Sequence, residues 1–535
     1  MGYLDTQCRI VESTRPARKG QVFPLFAENE RDRLVETYHP DYRRGAYEVL
    51  SVGPNAGEKT VHELARLLEA ESWVDPDRTD LTPDYETDVL IIGGGGAGAT
   101  AALTARMAGA KAILSTKLRI GDSNTVMAEG GMQVALDKTD SPVIHYLDTI
   151  KGGHFKNVPG LLKALVEDGP AAAKWLSDLG VIFDREEDGR FRQRRGGGSS
   201  RPRLLTCADY TGLDIMRNLK EACVNEGVRM IEYAPAVELL SDGRGRCTGA
   251  IMKNMDNDRW IVVRAKVVIL ATGGSGRLHI QGFSTSNHFG ATGDGLCLAY
   301  RIGARLAFMD TFQYHPTGVV YPEQMSGILV TEGIRSNGAQ LVNAKGERFI
   351  NELDTRDVVA AAILREVAEG RGVTTPLGKA GVWLDMPMVD MLNGEGTLEK
   401  RFPAMVRQYG RYQIDIRKQP VLIYPTLHYQ NGGIQIDTNA RSTIAGLLVA
   451  GEASGGVHGR NRLMGNSLLD IIVYGKRAGK TAAALASETD FGPLTLDHVK
   501  HFYAELKRKG VSRGIRSPLL FPDYVKKEKP VTVGE

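Results

Sequence analysis

Cysteine is scarce. There are five in 535 residues, Cys8, Cys207, Cys223, Cys247 and Cys297, and none falls in a CxxC or CxxCH arrangement. That argues against a disulfide scaffold, an attached c-type haem or an iron–sulfur cluster carried on this chain, and a reducing compartment fits best. Long apolar runs are missing too: none approaches the ~18 residues of a bilayer-spanning helix. The polar stretch 1–18 lacks an apolar h-region, so no secretory signal is expected. A net charge of +3 is too slight to suggest nucleic acid. No Gly-X-Y period, internal repeat or low-complexity segment occurs, and no metal site is expected.

What is present is an ordinary globular mixture, 42% apolar and 24% charged. The length suggests two to four units at ~150 residues each. Glycine is abundant, 62 of 535 against a usual ~7%, and must sit in tight loops. The C-terminal stretch 500–535 is locally basic, with nine Lys/Arg against four Asp/Glu. It reads either as a solvated tail or as a contact for a partner or an anionic membrane.

Five segments follow from the pattern. Residues 1–86 read as a polar extension with one short amphipathic helix, opened by a capping box at Thr60–Glu63. Residues 87–306 and 426–485 read as two parts of one nucleotide-binding unit. In it the strand-like runs 87–92, 265–271 and 446–450 lead into glycine turns, and 111–115 reads as the second strand. Strand, glycine turn and helix recurring in this way mean an α/β sheet assembled from separated segments. Residues 307–425 have mixed character and suit an inserted α+β capping domain; 486–535 read as a short helical and basic tail.

Gly93, Gly95 and Gly98 form GxGxxG between a strand and an alanine-rich helix. The first glycine permits a tight turn, the second lets backbone approach a pyrophosphate, and the third brings helix and strand together. The helix N-terminus then offers its partial positive charge to phosphate. A run of four glycines also suits a flexible linker, but the flanking elements favour dinucleotide binding. After the second strand, where a ribose-binding acid is expected, the sequence has Ser115, Thr116 and Lys117. The motif alone does not separate FAD from NAD.

Further segments occur in a fixed order. They are 122–131 (DSNTVMAEGG), 314–318 (YHPTG), 329–335 (LVTEGIR), 353–357 (LDTRD), 428–433 (HYQNGG) and 451–468 (GEASGGVHGRNRLMGNSL). From about residue 86 to about 482 the chain resembles the flavoprotein subunits of fumarate reductase and succinate dehydrogenase, and also L-aspartate oxidase. The resemblance implies FAD on a Rossmann-like domain. Its contacts would be Gly93, Gly95, Ala97, Gly98, Thr116 and Lys117; then Ser123, Asn124, Thr125, Gly130 and Gly131; then Ala271, Thr272, Gly273 and Asp294; and last Glu452, Asn466, Ser467 and Leu468. It implies a dicarboxylate between the two domains, one carboxylate held by Arg462 and His428 and the other by His315 and Thr331. Arg356 is implied as proton donor, with Glu332 and Arg335 as the relay behind it. An ion pair of Arg356 with Asp357 or Glu352 is the purely structural alternative. For His315 the alternative is a satisfied buried histidine, and for Asp294 a turn residue.

Two departures bear on function. Asn124 stands where the respiratory enzymes carry a histidine bonded to the flavin, so FAD is expected to be non-covalent, with a bias toward fumarate reduction or aspartate oxidation. Arg460 replaces a small residue and adds a charge near Arg462, where it could alter end-group preference. The chain also ends soon after the flavin motif. The expectation is a flavoprotein subunit that transfers hydride to fumarate or from succinate and exchanges electrons with a separate iron–sulfur partner. It would be cytoplasmic or held peripherally at the membrane's cytoplasmic face through partners, with residues 1–86 and the basic tail as docking candidates. L-aspartate oxidase, a reductase of another unsaturated acid and a non-enzymatic flavoprotein are the alternatives.

Overall fold

Val89–Ile92 are buried without exception, as a strand covered on both faces requires. In the computed structural model, which describes residues 2–521, their strand Tyr85–Ile92 lies inside a seven-stranded sheet. Ala112–Ser115 and Trp260–Leu270 flank it in parallel, and Arg229–Ile231 extends the sheet beyond Ala112–Ser115. The long strand Trp260–Leu270 changes partner along its length. Its first half pairs antiparallel with Cys247–Lys253, which pairs in turn with Ala236–Ser241; its last residues run parallel to Leu447–Val449. The chain thus returns to this sheet after residues 307–425, and the glycine turns after residues 92, 271 and 450 meet at one edge of it.

Helix Gly96–Met107 follows the first strand, and helix Asn466–Ser487 packs beside it. The approach is close because glycine faces backbone: a Cβ on Gly479 would lie 2.5 Å from the Ala101 carbonyl oxygen. This is a Rossmann-like α/β arrangement. Residues 307–425 contribute most of a second, antiparallel sheet in the order Phe312–Val319, Val421–Gln430, Ala380–Asp385, Gln340–Val342, with Val373–Thr374 at the edge. Helix Arg356–Ala368 covers this sheet through Val358, Val359 and Ile363, which share a core with Leu384 and Ile423. The second sheet is the α+β cap.

The first 86 residues are more structured than their polar composition suggests. They hold three helices, Gly2–Arg18, Glu28–Tyr38 and His62–Leu68. Val11 packs with Trp383 and Leu422 of the cap, Leu34 and Val35 enter the cap core, and Leu64 and Leu68 enter the Rossmann core. The capping box is not formed. Val61 is the N-cap with no side-chain bond, and Thr60 lies in a short strand, where its hydroxyl donates to the Met309 carbonyl at 2.9 Å. Near the other end, helix Asp497–Lys509 packs through Val499 on Val237 and Ile251. The basic residues Lys526, Lys527 and Lys529 lie outside the described residues.

Candidate functional site

The glycine turns and the cap enclose one cavity of about 670 Å³. At its Rossmann end the three glycines of the turn behave as their spacing predicts. A Cβ on Gly98 would lie 1.9 Å from the Gly93 carbonyl oxygen, and one on Gly93, at φ +122°, would lie 2.2 Å from that of Ala271. Gly98 is therefore a packing glycine and does not line the cavity, whereas Gly93, Gly95 and Ala97 do. Gly95 is the N-cap of its helix and offers no side chain to it, so the wall there is bare backbone. Thr125 receives the Gly96 N–H at 3.1 Å and fixes the facing loop. Such a cradle suits a pyrophosphate.

Thr116, Lys117, Ser123, Asn124, Gly130 and Gly131 also line the cavity, as do Ala271, Thr272, Gly273 and Asp294. Lys117 pairs with Asp294 at 2.6 Å and donates to Thr292 and to the Leu519 carbonyl, so Asp294 is more than a turn residue. Asn124 donates to Asn287 at 2.7 Å and to Glu452 at 3.4 Å, while its carbonyl accepts the His288 N–H. Glu452 also accepts the Gln430 N–H; burial raises its carboxyl above the usual range. Ser467 and Leu468 reach the cavity from the start of the long helix. Asn466 does not: its side chain turns inward to Thr149 and His145.

The other end of the cavity is built by the cap. The central cap strands bring His315 and His428 together, with ring centroids 5.1 Å apart and edge to face. Burial, aided by the charge of Arg356, pushes both imidazoles well below their ordinary pKa, so both are neutral. Nδ1 of His315 accepts the Thr317 N–H at 3.2 Å, which assigns the proton to Nε2; that buried nitrogen has no hydrogen-bond partner among the described residues. His428 is fixed by Ser286, 2.7 Å from its Nδ1. Thr331 opens helix Glu332–Ser336 and also lines the cavity.

Glu332 is buried among cations. Arg356 Nε donates to it at 2.7 Å, Arg335 lies 3.2 Å away, and the Gly197 N–H donates at 3.0 Å. Burial alone would raise this carboxyl, but the two arginines override it and hold it below the usual range. Arg335 stands behind Glu332, off the cavity wall, with its guanidinium also donating to the Glu352 carbonyl. Arg356 thus pairs with Glu332 rather than with Asp357 or Glu352. Arg462 is buried, lies 4.4 Å above the Tyr429 ring and has an Nε unpartnered among the described residues. Burial first, and then the charge of Arg356, lowers its pKa to about 9. Arg460 does not share that space; it pairs outward with Asp310 at 3.0 Å.

The sequence reading missed Gln313. Its side-chain carbonyl accepts from Arg356 at 2.8 Å and from Arg462 at 2.9 Å, and its amide donates to Asn461 and to the Arg462 carbonyl. A single neutral side chain thereby spaces two guanidinium groups. The available signal was its place two residues before His315 on the same strand. With Arg335 behind the wall, three buried guanidinium groups are set against the one carboxylate of Glu332, so the cavity at Arg356 and Arg462 carries excess positive charge beside the two neutral imidazoles. Such a wall suits a small dianion.

The FAD binding domain family matches residues 88–468. The chain is 43% identical over 418 residues to an uncharacterised FAD-dependent oxidoreductase of Methanocaldococcus jannaschii, covering 76% of this chain and 74% of that one. It is 40% identical over 409 residues to one subunit of the CoM/CoB fumarate reductase of Methanothermobacter marburgensis, covering 75% and 73%. Among solved structures, a variant of the Escherichia coli quinol fumarate reductase protein FrdA is similar with a TM-score of 0.72 at 32% identity, covering 80% of this chain and 74% of that one.

Proposed function

The chain belongs to the FAD binding domain family and is an FAD-dependent oxidoreductase; on that premise we propose that it interconverts fumarate and succinate as the flavoprotein subunit of a larger complex. The observation that carries this reading is the pair of arginines spaced by Gln313, gathered with two neutral histidines at the cap end of the cavity. FAD, when bound, supplies or accepts a hydride at N5 of its ring. The glycine cradle at Gly93 and Gly95 would hold its pyrophosphate, and Glu452 would take ribityl or ribose hydroxyls.

Arg462 forks onto one carboxylate of the substrate and His428 donates to the same group. His315, through Nε2–H, and Thr331 hold the other carboxylate. Fixing both ends positions the double bond and polarises it, which is catalysis by orientation and electrostatics. Arg356 delivers a proton to the carbon adjacent to the one that receives hydride. Glu332, at 2.7 Å, returns a proton to Arg356, and Arg335 restores Glu332. Arginine is a poor acid in water; here Glu332 and Arg335 stand within reach to reprotonate it as hydride arrives. Two electrons and two protons enter per fumarate. The electrons come from a separate iron–sulfur partner, because the five cysteines of this chain supply no ligand set. Asn124 leaves FAD non-covalent.

The test is anaerobic. FAD-loaded protein reduced with a viologen dye is mixed with fumarate, and dye reoxidation is followed. Fast, saturable reoxidation is expected. No reoxidation with fumarate, together with peroxide formation from aspartate in air, would overturn the proposal in favour of an amino-acid oxidase.

A further inference from the structure

The two halves of the site sit on different bodies: Arg462 on the Rossmann part and Arg356 on the first turn of the cap helix Arg356–Ala368. Gln313 spaces their tips, but the register of the two bodies must be set elsewhere. One loop touches both. Residues 152–157 leave helix Pro142–Gly152 and run beneath the segment that carries Arg462. The Gly152 carbonyl accepts from the Asn461 amide at 3.0 Å, and the Gly153 carbonyl accepts the Arg460 N–H at 3.1 Å. Asn157 donates to the Val457 carbonyl at 2.9 Å. There is no slack here, since a Cβ on Gly459 would lie 2.4 Å from the Gly153 carbonyl oxygen.

From this loop His154 reaches across to the cap. Its Nε2 lies 2.6 Å from Oδ2 of Asp357, the residue next to Arg356. The crossing demands unusual backbone, because His154 and Phe155 both adopt φ +55°, a left-handed conformation that two successive non-glycine residues rarely share. The partners differ in exposure. The His154 side chain is 39% exposed and can exchange its proton with solvent; that of Asp357 is 6% exposed.

We propose that His154 is a positioning residue: its protonated imidazole, paired with Asp357, locks the cap on the Rossmann part in the register that sets Arg356 opposite Arg462, and the lock loosens when the imidazole is neutral. The inference rests on the fumarate–succinate reading for its kinetic test. Several charged and titratable groups surround the pair. Asp32 and Arg31 face His154 from helix Glu28–Tyr38, and buried His39 faces Asp357, with Arg460 beyond it. The hydrogen bond that His154 donates to Asp357 raises the imidazole above the ordinary histidine range against the opposing effect of burial. Stabilisation of the closed register is therefore complete below the ordinary histidine pKa and is lost as pH rises through the raised value. Burial alone would raise Asp357, but the hydrogen bond and charge of His154 hold it below its usual range, so both partners are ionised while His154 is protonated.

The experiment compares the FAD-loaded wild type with His154→Ala and His154→Lys. Two quantities are read between pH 5.5 and 9: KM and kcat for fumarate with reduced viologen, and amide hydrogen exchange of residues 356–368. In the wild type KM should rise about five- to tenfold from pH 6 to pH 8.5, the scale of one partly exposed ion pair. In His154→Ala, KM should sit at the high value at every pH and the cap helix should exchange faster at pH 6. In His154→Lys, KM should stay low beyond pH 8.5, because lysine keeps its charge. FAD content should be equal in all three. A His154→Ala variant that follows the wild-type KM and exchange curves would overturn the lock. A His154→Lys variant that behaves like His154→Ala would overturn the role of charge. A wild type inert toward fumarate would count against the proposed reaction, and the exchange measurement would still decide the lock.

Discussion

Arg356 makes three kinds of contact at once: a charged bond to Glu332, a bond to Gln313, and exposure to the cavity. A lysine cannot reproduce that fork, since it presents a point charge on a flexible stem. Arg356→Lys should therefore lower kcat for fumarate by at least about 10²-fold with FAD content unchanged, the loss expected for a general acid. Steady-state kinetics with matched flavin absorbance checks it. Asn124 carries a second prediction. Its amide is committed to Asn287 and Glu452 and has no atom that can bond to the flavin ring. After acid precipitation the yellow colour should stay in the supernatant; a yellow pellet would refute non-covalent binding. Most of these side chains were legible as residue types at fixed spacings. Gln313 was not, because glutamine is common and carries no charge pattern. Only its two distances to the arginines mark it.

At the scale of elements, the turn between strand Tyr85–Ile92 and helix Gly96–Met107 separates two uses of glycine. Gly98 meets backbone at 1.9 Å and has nowhere to yield, whereas Gly95 faces the Ser123 side chain at 3.3 Å. Gly95→Ala should fold, with a reduced ratio of flavin to protein absorbance after gel filtration. Gly98→Ala should lose both flavin and stability, since overpacking at backbone costs about 1–3 kcal/mol or more. Thermal unfolding of the two variants side by side distinguishes these roles. The strand and helix here were readable because a buried parallel strand and an alanine-rich helix leave strong local patterns. The helix Glu28–Tyr38 was missed for the opposite reason: of its residues only Leu34 and Val35 are buried, and two apolar positions make no periodic stripe.

For the molecule as a whole, the N-terminal helix ties the chain's start to the cap. Arg15 and Arg18 both pair with Asp385, at 2.8 and 2.7 Å, and the carboxylate is fully buried between them. Removing both cations leaves a buried charge uncompensated, which costs about 3–5 kcal/mol. The double variant Arg15→Gln with Arg18→Gln should lower the unfolding temperature, and Asp385→Asn added to it should restore part of the loss. This contact corrects the picture of residues 1–86 as a polar appendage. Arg15, Arg18 and Arg31 pair with the cap, Glu48 and Glu69 pair with Arg513, and the apolar residues of this stretch enter the cores of both the cap and the Rossmann part.

By itself the sequence determined the α/β class, the nucleotide turn, the FAD-binding family and most of the residue types that line the cavity. Those are local patterns, or ordered motifs whose spacing survives without coordinates. The tertiary structure decided which groups meet. It alone set Gln313 between two arginines, turned Arg460 away to Asp310, sent Asn466 inward and brought His154 across to Asp357. The physical reason is distance along the chain. His154 and Asp357, for one, are 203 positions apart, and no periodicity or propensity spans such an interval. The packing of the cap on the Rossmann sheet creates the pairs, and burial strengthens those, such as Gln313 with its two arginines, that are shut away from water.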